Sequence, residues 1–465
     1  MNFMKFANQL IQITTLFIRL PIYLLCFFIL SPFTIVLAQD AENSISLSVD
    51  EAIQYAHQNH GTVLNASLDE KIATKKIHEI TGQGLPQITA SFDLKDFIEL
   101  PTQLVPGEFF GGEPGTFTPV QFGTQYNATA GIEASQLLFN SSYLLGLKAA
   151  KSFQELSIKN IERTKVETSV NVSKAYYMVL INENRLELLE ANIVRIEGLL
   201  RDTKVLEKNG FVEKIDLNRL EVKYNGLVTE REKVKKLMVL SMNLLKFQMG
   251  MSIETNLTLT DSIESWDTST TSPVDQFMYE DRIEFSLLES QRELLNIDLK
   301  RNNLAYLPSL VAYGNFSYQA QRNEFDIFDF SAGNKWFKTS LIGVTLGIPI
   351  FDGLQKSAII QQSKLELLKV DNNEEMLKQS IDLELSNALT NLTNAKSSLE
   401  SQRRNMELAE SIVEVARKKY EKGVGSNLEI LNSETDLKQA QTDYLNALFD
   451  LIMANIDFKK AMGLY

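Results

Sequence analysis

The chain contains an internal duplication, and this duplication limits the folds that the chain can adopt. Gly423 follows Gly210 by 213 residues, and Phe351 follows Phe139 by 212. A long repeat whose landmarks keep their order predicts two copies of one structural unit. Four short motifs occur in both halves: Leu-Pro at 85–86 and 307–308, Leu-Phe-Asn and Ile-Phe-Asp at 138–140 and 350–352, Glu-Lys-Asn-Gly and Tyr-Glu-Lys-Gly at 207–210 and 420–423, and Met-Gly at 249–250 and 462–463.

The duplication also predicts the boundaries of the units. We place the first repeat at residues 39–251 and the second at residues 275–465. Between them, residues 252–274 are rich in Ser, Thr and acidic residues, which predicts a polar linker. Each repeat is expected to run helix, strand, strand, long helix, returning helix.

The N-terminal segment has the pattern of a secretory signal. Basic residues precede an apolar run over residues 20–37, and the small residue Ala38 follows it. This pattern predicts a signal peptide at residues 1–38. A membrane anchor is the alternative, although two prolines interrupt the run. The only cysteine, Cys26, lies in this segment, so the predicted mature chain has no thiol and no disulfide.

Four segments of about ten residues alternate apolar and polar side chains, as tilted membrane-spanning strands do. The loops that join each pair, 98–123 and 319–338, are rich in Gly, Pro and aromatic residues, which is typical of a membrane interface. An ordinary half-buried sheet is the alternative. Four strands cannot close a barrel, and open edges are not tolerated in lipid, so strands that span lipid require an oligomer. Three copies would give twelve strands, an even and plausible number. The four segments are 88–97, 126–138, 310–318 and 340–350.

Long helices make up most of the remaining sequence. Residues 140–209 and 352–422 contain no proline, and each would form about 100 Å of continuous helix. Each reaches a Gly-containing turn and is followed by a returning helix. The second returning helix has spacings of three and four between apolar residues, which predicts a coiled-coil seam: Leu437, Ala440, Tyr444, Ala447, Leu451, Ala454, Phe458 and Ala461. The predicted fold class is mainly α with a membrane β part.

The duplicated motifs, the opening segment at residues 46–53 and the segment from Tyr420 to Tyr444 resemble the TolC family of outer-membrane efflux proteins. The resemblance covers essentially the whole predicted mature chain. It implies a homotrimer with a shared twelve-stranded β-barrel in outer-membrane lipid and a coiled-coil α-helical barrel in the periplasm. It also implies an exit duct for efflux or secretion that works with a periplasmic adaptor (membrane fusion) protein and an inner-membrane pump. No cofactor and no enzymatic activity are expected.

The resemblance also implies roles for particular residues. It places Glu429 at a pore constriction and Asn432 at the position of a second acidic ring, which is therefore absent. Asp216 and Tyr420 match positions of a hydrogen-bonded link between hairpins that gates the channel. The basic partner of that link falls on Gly425 and is missing. Six residues are expected at the periplasmic tips that contact the adaptor: Gly210, Phe211, Val212, Gly423, Val424 and Gly425.

Other interpretations rest on fewer residues. The Ser426–Glu429 segment is also a capping-box pattern, so a purely structural role for Glu429 stays open. His57 and His60 share a helix face, as metal ligands can, but no carboxylate neighbours them, and we expect a solvated helix face. The net charge of -13 and the lack of a basic patch exclude nucleic acid as a partner. A soluble periplasmic coiled-coil adaptor is the main alternative function.

Overall fold

The computed structural model describes residues 45–263, 277–329 and 335–465. The predicted signal peptide, with Cys26, and residues 264–274 of the predicted linker lie outside these residues. Residues 46–254 and 259–465 form one compact unit. Ile45 and residues 255–258 cluster separately, and the Ile45 N–H donates to the Asn256 carbonyl (2.9 Å).

The first helices begin at the predicted cap. The Ser48 hydroxyl accepts a hydrogen bond from the Glu51 N–H (3.4 Å), and the Glu51 carboxylate accepts one from the Ser48 N–H (2.8 Å). This reciprocal pair satisfies two backbone donors at the helix start. Helix α1 (Val49–Asn59) then ends where His60 adopts an extended conformation, and helix α2 (Gly61–Gln83) follows.

Both halves contain a long helical hairpin. Helices α3 and α6 have 68 and 67 residues, so each is about 100 Å long. Both repeats end in a glycine in the left-handed conformation that has no room for a side chain. A Cβ on Gly250 would lie 2.5 Å from the Asn59 carbonyl oxygen, and one on Gly463 would lie 2.6 Å from that of Asp281. The helices of the hairpins and the helix that opens the second half are α3 (Ser141–Lys208), α4 (Lys214–Met249), α5 (Ile283–Leu304), α6 (Gln355–Glu421) and α7 (Asn427–Ala461).

Helix α7 is buried along two sides. The predicted seam is buried or half-buried throughout, and Leu437 packs on Ala409 and Val413 of α6. A second seam was not predicted, because polar residues interrupt its apolar pattern. It faces α3, where the Asn192 side-chain amide donates to the Gln441 side-chain oxygen (2.9 Å). The second seam consists of Gln441, Leu445, Leu448, Ile452 and Asn455.

Four strands form one antiparallel sheet in the order β2-β5-β7-β8. The last strand begins and ends three residues earlier than predicted. Its first residue, Phe337, pairs with Gln319 of the preceding strand, and its last residue, Gly347, pairs with Ser309. In β5 a bulge places Phe139, rather than Leu138, opposite Leu310. The strands are β2 (Gln87–Asp96), β5 (Tyr126–Phe139), β7 (Ser309–Arg322) and β8 (Phe337–Gly347).

The register separates the side chains of this sheet onto an apolar face and a polar face. Directly paired residues point to the same face, and successive residues of a strand point to opposite faces. The apolar face carries Ile88, Phe92, Ala130, Ile132, Phe316, Ile342, Val344 and Leu346. The polar face carries Thr89, Asp93, Thr129, Glu133, Asn315, Ser317, Thr339 and Thr345.

The prediction of only four strands was wrong. The long first loop contains a further hairpin of strands β3 (Thr102–Pro106) and β4 (Phe117–Gln121), joined through a 3-10 turn at Gly107–Phe110. Its prolines concealed it, because proline lowers the strand signal of a sequence. Two three-residue strands, β1 (Ile45–Leu47) and β6 (Leu257–Leu259), were also missed. In the described part of the chain no helix is long and apolar enough to cross a membrane.

One end of the apolar face is covered by the second loop. Ile327 is fully buried against Ala128 and Ala320, and Trp336 packs beside them. Phe328 stacks on Phe92 with ring centroids 6.4 Å apart. Phe328 and Trp336 of this loop therefore pack on the sheet, and the position of the loop at a membrane interface stays a prediction.

Candidate functional site at the helical turns

The turn of the first hairpin, residues 209–213, follows α3. Gly210 has a φ of 78°, a conformation that L side chains rarely adopt, and its N–H donates to the Glu207 carbonyl (2.9 Å). Phe211 is 78% exposed, although its N–H donates to the Leu206 carbonyl (2.9 Å). The backbone therefore fixes this turn while it presents an aromatic ring to solvent.

The turn of the second hairpin, residues 422–426, repeats this design. Gly423 has a φ of 75°, and Val424 is 78% exposed. The Lys419 carbonyl accepts hydrogen bonds from the N–H groups of Val424 (3.0 Å) and Gly425 (3.2 Å). A Cβ on Gly425 would lie 3.0 Å from both the Lys419 Cβ and the Tyr420 nitrogen, so this turn packs tightly only with glycine there. The two turns thus present two exposed apolar side chains, one from each repeat.

Glu429 makes only half of the expected capping box. The Ser426 hydroxyl accepts a hydrogen bond from the Glu429 N–H (3.1 Å). The Glu429 carboxylate, however, lies 2.9 Å from the Lys419 ammonium nitrogen, across the turn, rather than on the Ser426 N–H. Both side chains of this ion pair are about half exposed. The sequence analysis missed Lys419, because ten positions separate the two residues and no local pattern joins them.

Asp216 and Tyr420 do not hydrogen-bond to each other within one chain. The Asp216 carboxylate lies 3.5 Å from the Arg219 guanidinium on its own helix. The Tyr420 hydroxyl is buried and has no partner in the described residues. A link between neighbouring chains therefore stays a prediction.

Asn432 lies on α7 in a groove that α4 lines with basic residues. The groove has a volume of about 410 Å³, and Arg219 and Lys223 lie along it. Burial, and then the nearby charge of Lys438, lowers the pKa of the Lys223 ammonium. Of these two basic residues, Arg219 is already paired with the Asp216 carboxylate.

A cleft of about 560 Å³ lies between the two turns, with Phe211 on one side and Tyr420 on the other. Arg195 and Glu434 close one end of it with an ion pair of 3.2 Å, and Glu434 is only 6% exposed. Arg195 also hydrogen-bonds to the Asn192 side-chain oxygen. This buried polar group joins α3 to α7. In the sequence, this ion pair is indicated only by polar residues on a helix face that is buried.

His57 and His60, which were predicted to share a helix face, make separate local contacts, and His60 lies at the break between α1 and α2. His57 Nε2 lies 2.9 Å from the Ser169 hydroxyl and 3.3 Å from the Lys165 carbonyl oxygen. The expected solvated face is thus wrong for His57, which is half-buried against α3. His60 Nδ1 lies 2.7 Å from the Thr62 hydroxyl. Among the described residues no group of three or more His, Cys, Asp or Glu side chains could hold a metal ion.

The sequence and the fold both match known outer-membrane proteins. The outer membrane efflux protein family matches residues 288–464. Outer membrane protein TolC of Vibrio cholerae is 21% identical over 343 residues, which cover 72% of this chain and 76% of that protein. The crystal structure of CusC matches with a TM-score of 0.69 at 16% identity, covering 90% of this chain and 92% of that one. The open state of the MtrE outer membrane channel of Neisseria gonorrhoeae matches with a TM-score of 0.67 at 17% identity, covering 89% and 88%.

The architecture is therefore that of the TolC-like channels, in which long helical hairpins are joined to a short antiparallel sheet. In sequence and in fold the chain is similar to the TolC-like outer-membrane channels.

Proposed function

We propose that the chain is the protomer of an outer-membrane channel, an exit duct for efflux or secretion that extends into the periplasm. The observation that carries the proposal is the unfinished sheet. Its outer strands, β2 and β8, each pair on one side only among the described residues, and its apolar face is exposed. Ile342, at the middle of β8, is 93% exposed. Lipid would cover such a face, and strands of other copies would complete such edges.

The unpaired edges support a homotrimer. One chain supplies four strands, so three copies supply twelve, an even number within the range of bacterial barrels. In that arrangement the apolar face contacts outer-membrane lipid, and the polar face lines the water-filled lumen. The long helices of three copies would then continue the duct into the periplasm.

The comparisons favour a channel over the alternative of a soluble periplasmic adaptor, because relatives of this chain are named outer membrane proteins. We propose instead that an adaptor is a partner and that it docks on the exposed tips, where Phe211 and Val424 lie. An inner-membrane pump would supply the energy. The proposal assigns no catalysis and no cofactor to this chain.

We further propose that Glu429 lines the constriction of the duct. Support comes from its position in the first turn of α7, directly after the hairpin tip, and from its half-exposed carboxylate. Asn432, three residues further along, is exposed but carries no charge. Asp216 and Tyr420 are proposed to contact a neighbouring chain, where the unpartnered Tyr420 hydroxyl could be satisfied.

Conductance tests the channel directly. Protein extracted from outer membranes with detergent is added to a planar lipid bilayer under an applied voltage. We expect discrete, uniform conductance steps, because a closed barrel forms a pore of fixed size. Protein that inserts without conductance steps, or that fractionates with soluble periplasmic proteins, would contradict the proposal. Buffer from a mock extraction is the control.

A further inference from the structure

We infer that Lys419 determines the charge of the constriction, so that the ring at this level consists of ion pairs rather than of free carboxylates. This inference rests on the proposed position of Glu429 at the pore. It identifies Lys419 as a specificity-determining residue for charged cargo and ions. The chemical class affected is small cations, which a free carboxylate ring would attract.

The pair spans the turn between two helices. Lys419 lies in the last turn of α6 and Glu429 in the first turn of α7, and their side chains meet at 2.9 Å. Hydrogen bonds hold both backbones. The Lys419 carbonyl accepts the N–H groups of Val424 and Gly425, and the Ser426 hydroxyl accepts that of Glu429. The ammonium group is therefore kept beside the carboxylate.

Neighbouring basic residues behave differently. Lys418 pairs with Glu414 (2.5 Å), and Arg417 lies 3.9 Å from Glu421. Both of these pairs lie along α6, one helical turn apart, which is the usual arrangement on an exposed helix. Of these three residues, Lys419 alone reaches the first turn of α7. Lys419 therefore pairs with Glu429, the proposed pore residue, rather than with an acidic residue of its own helix.

The internal repeat shows that the base is specific to the second hairpin. The offset of 213 residues aligns Glu429 with Asp216 and Lys419 with Leu206. The acid is therefore present at both turns, whereas the base is present at one. The Asp216 carboxylate instead pairs with Arg219, which lies one turn further along α4. Fold alone does not demand a base at this position, since the first hairpin forms without one.

Three copies of this pair would place three cations and three anions around the axis. A ring of paired charges has a much weaker field along the axis than three carboxylates have. Removal of Lys419 would expose the full negative charge, and removal of Glu429 would leave a positive ring. Both side chains are about half exposed, so the pair contributes little to stability and the variants should fold.

Ion selectivity of single channels tests the inference. The variants are Lys419→Met, Glu429→Gln and the double variant, and Lys418→Met is the matched control that removes the same charge one residue away. Reversal potentials are measured in a KCl gradient. We expect Lys419→Met to raise the ratio of potassium to chloride permeability about threefold, and Glu429→Gln to lower it by a similar factor. The double variant and Lys418→Met should stay near the wild-type ratio.

The outcomes separate the inference from the proposal beneath it. A shift with Glu429→Gln but none with Lys419→Met would overturn the role of Lys419 and leave Glu429 at the pore. Open channels with an unchanged ratio in every variant would remove both residues from the constriction. Lack of any conductance in the wild type would contradict the channel itself.

Discussion

The sheet and the helices of this protein differ in how far their polar groups and apolar side chains find partners within the chain. Many buried polar groups of the helices find partners within the chain; for example, the hydroxyl of the fully buried Tyr176 donates to the Leu47 carbonyl (3.0 Å), although the Tyr420 hydroxyl has none among the described residues. The sheet instead leaves Ile88 and Ile342 exposed and the outer edges of β2 and β8 unpaired among the described residues. We expect contacts within the chain to contribute more to the stability of the helical part, and lipid and other copies to contribute more to that of the sheet.

We expect the largest effect on the protein from a charged side chain on the apolar face of the sheet. Ile342→Lys places an ammonium group at the middle of β8, where we expect the centre of the bilayer. The cost is about 2–4 kcal/mol for each copy. We predict loss of the protein from the outer-membrane fraction, measured by immunoblotting of fractionated cells.

Thr345→Lys is the matched control on the same strand. Thr345 pairs with Val311 on the polar face, which faces the lumen in the proposed barrel. This variant should reach the outer membrane in normal amounts. Equal loss of both variants would show that the two faces are not distinguished by lipid.

A substitution in the helical part should lower stability without changing the membrane location. Arg282 is 4% exposed and bonds to Glu284 (3.1 Å), Glu384 (2.9 Å) and the Ala461 carbonyl (3.0 Å). Arg282→Met removes one partner from each of these groups, although Glu384 keeps the Lys460 ammonium at 3.7 Å, and should cost about 3–5 kcal/mol. Urea denaturation of the detergent-solubilised protein measures the change.

The control for this variant is Arg404→Met, because Arg404 pairs with Glu400 on an exposed face of α6. Such a pair contributes about 0–1 kcal/mol. Similar losses in the two variants would mean that the buried contacts of Arg282 do not stabilise the helical part.

The helix cap at the start of α1 should have a smaller effect. Ser48→Ala removes the hydroxyl that accepts the Glu51 N–H, at a cost of about 1 kcal/mol. We expect faster amide hydrogen exchange in the first turn of α1, while exchange in α7 is unchanged. Ser48→Thr keeps the hydroxyl and should restore slow exchange; fast exchange in both variants would contradict a capping role.

The smallest expected effect depends on pH. Burial is the largest cause that lowers the pKa of His57 below its ordinary value of 6.5. The unfolded chain therefore binds more protons than the folded chain between these two pKa values. Stability should be unaffected above pH 6.5 and should fall as the pH falls from there through the folded pKa.

Denaturation midpoints measured across this range check the effect. His57→Gln should remove that part of the pH dependence, whereas His60→Gln should keep it, since the His60 ring hydrogen-bonds locally to the Thr62 hydroxyl. An unchanged pH profile in His57→Gln would contradict the burial of His57 as its cause.

The features that the sequence predicted are those with a regular period or a local signature. Alternation located the strands of the sheet, the lack of proline located α3 and α6, and the Ser48–Glu51 pattern located the first cap. The second seam of α7 was missed, because it contains Gln441 and Asn455 where a coiled-coil pattern expects apolar residues. Its polar groups became interpretable only once α3 was seen to pack there.

Most of the candidate site could not be predicted at the level of contacts. The resemblance to the TolC family identified Glu429, but its contact with Lys419 depends on how two helices meet. The ion pair between Arg195 and Glu434 joins two hairpins that are far apart in sequence. Such contacts depend on tertiary packing, which no local pattern encodes.

The mass of the detergent-extracted protein tests the central claim most directly. Native mass spectrometry of protein from purified outer membranes should give three times the mass of the single chain, because three copies of the four-stranded sheet supply the twelve strands of the proposed barrel. A species with the mass of one chain, stable in detergent or found in the soluble periplasm, would contradict the shared barrel.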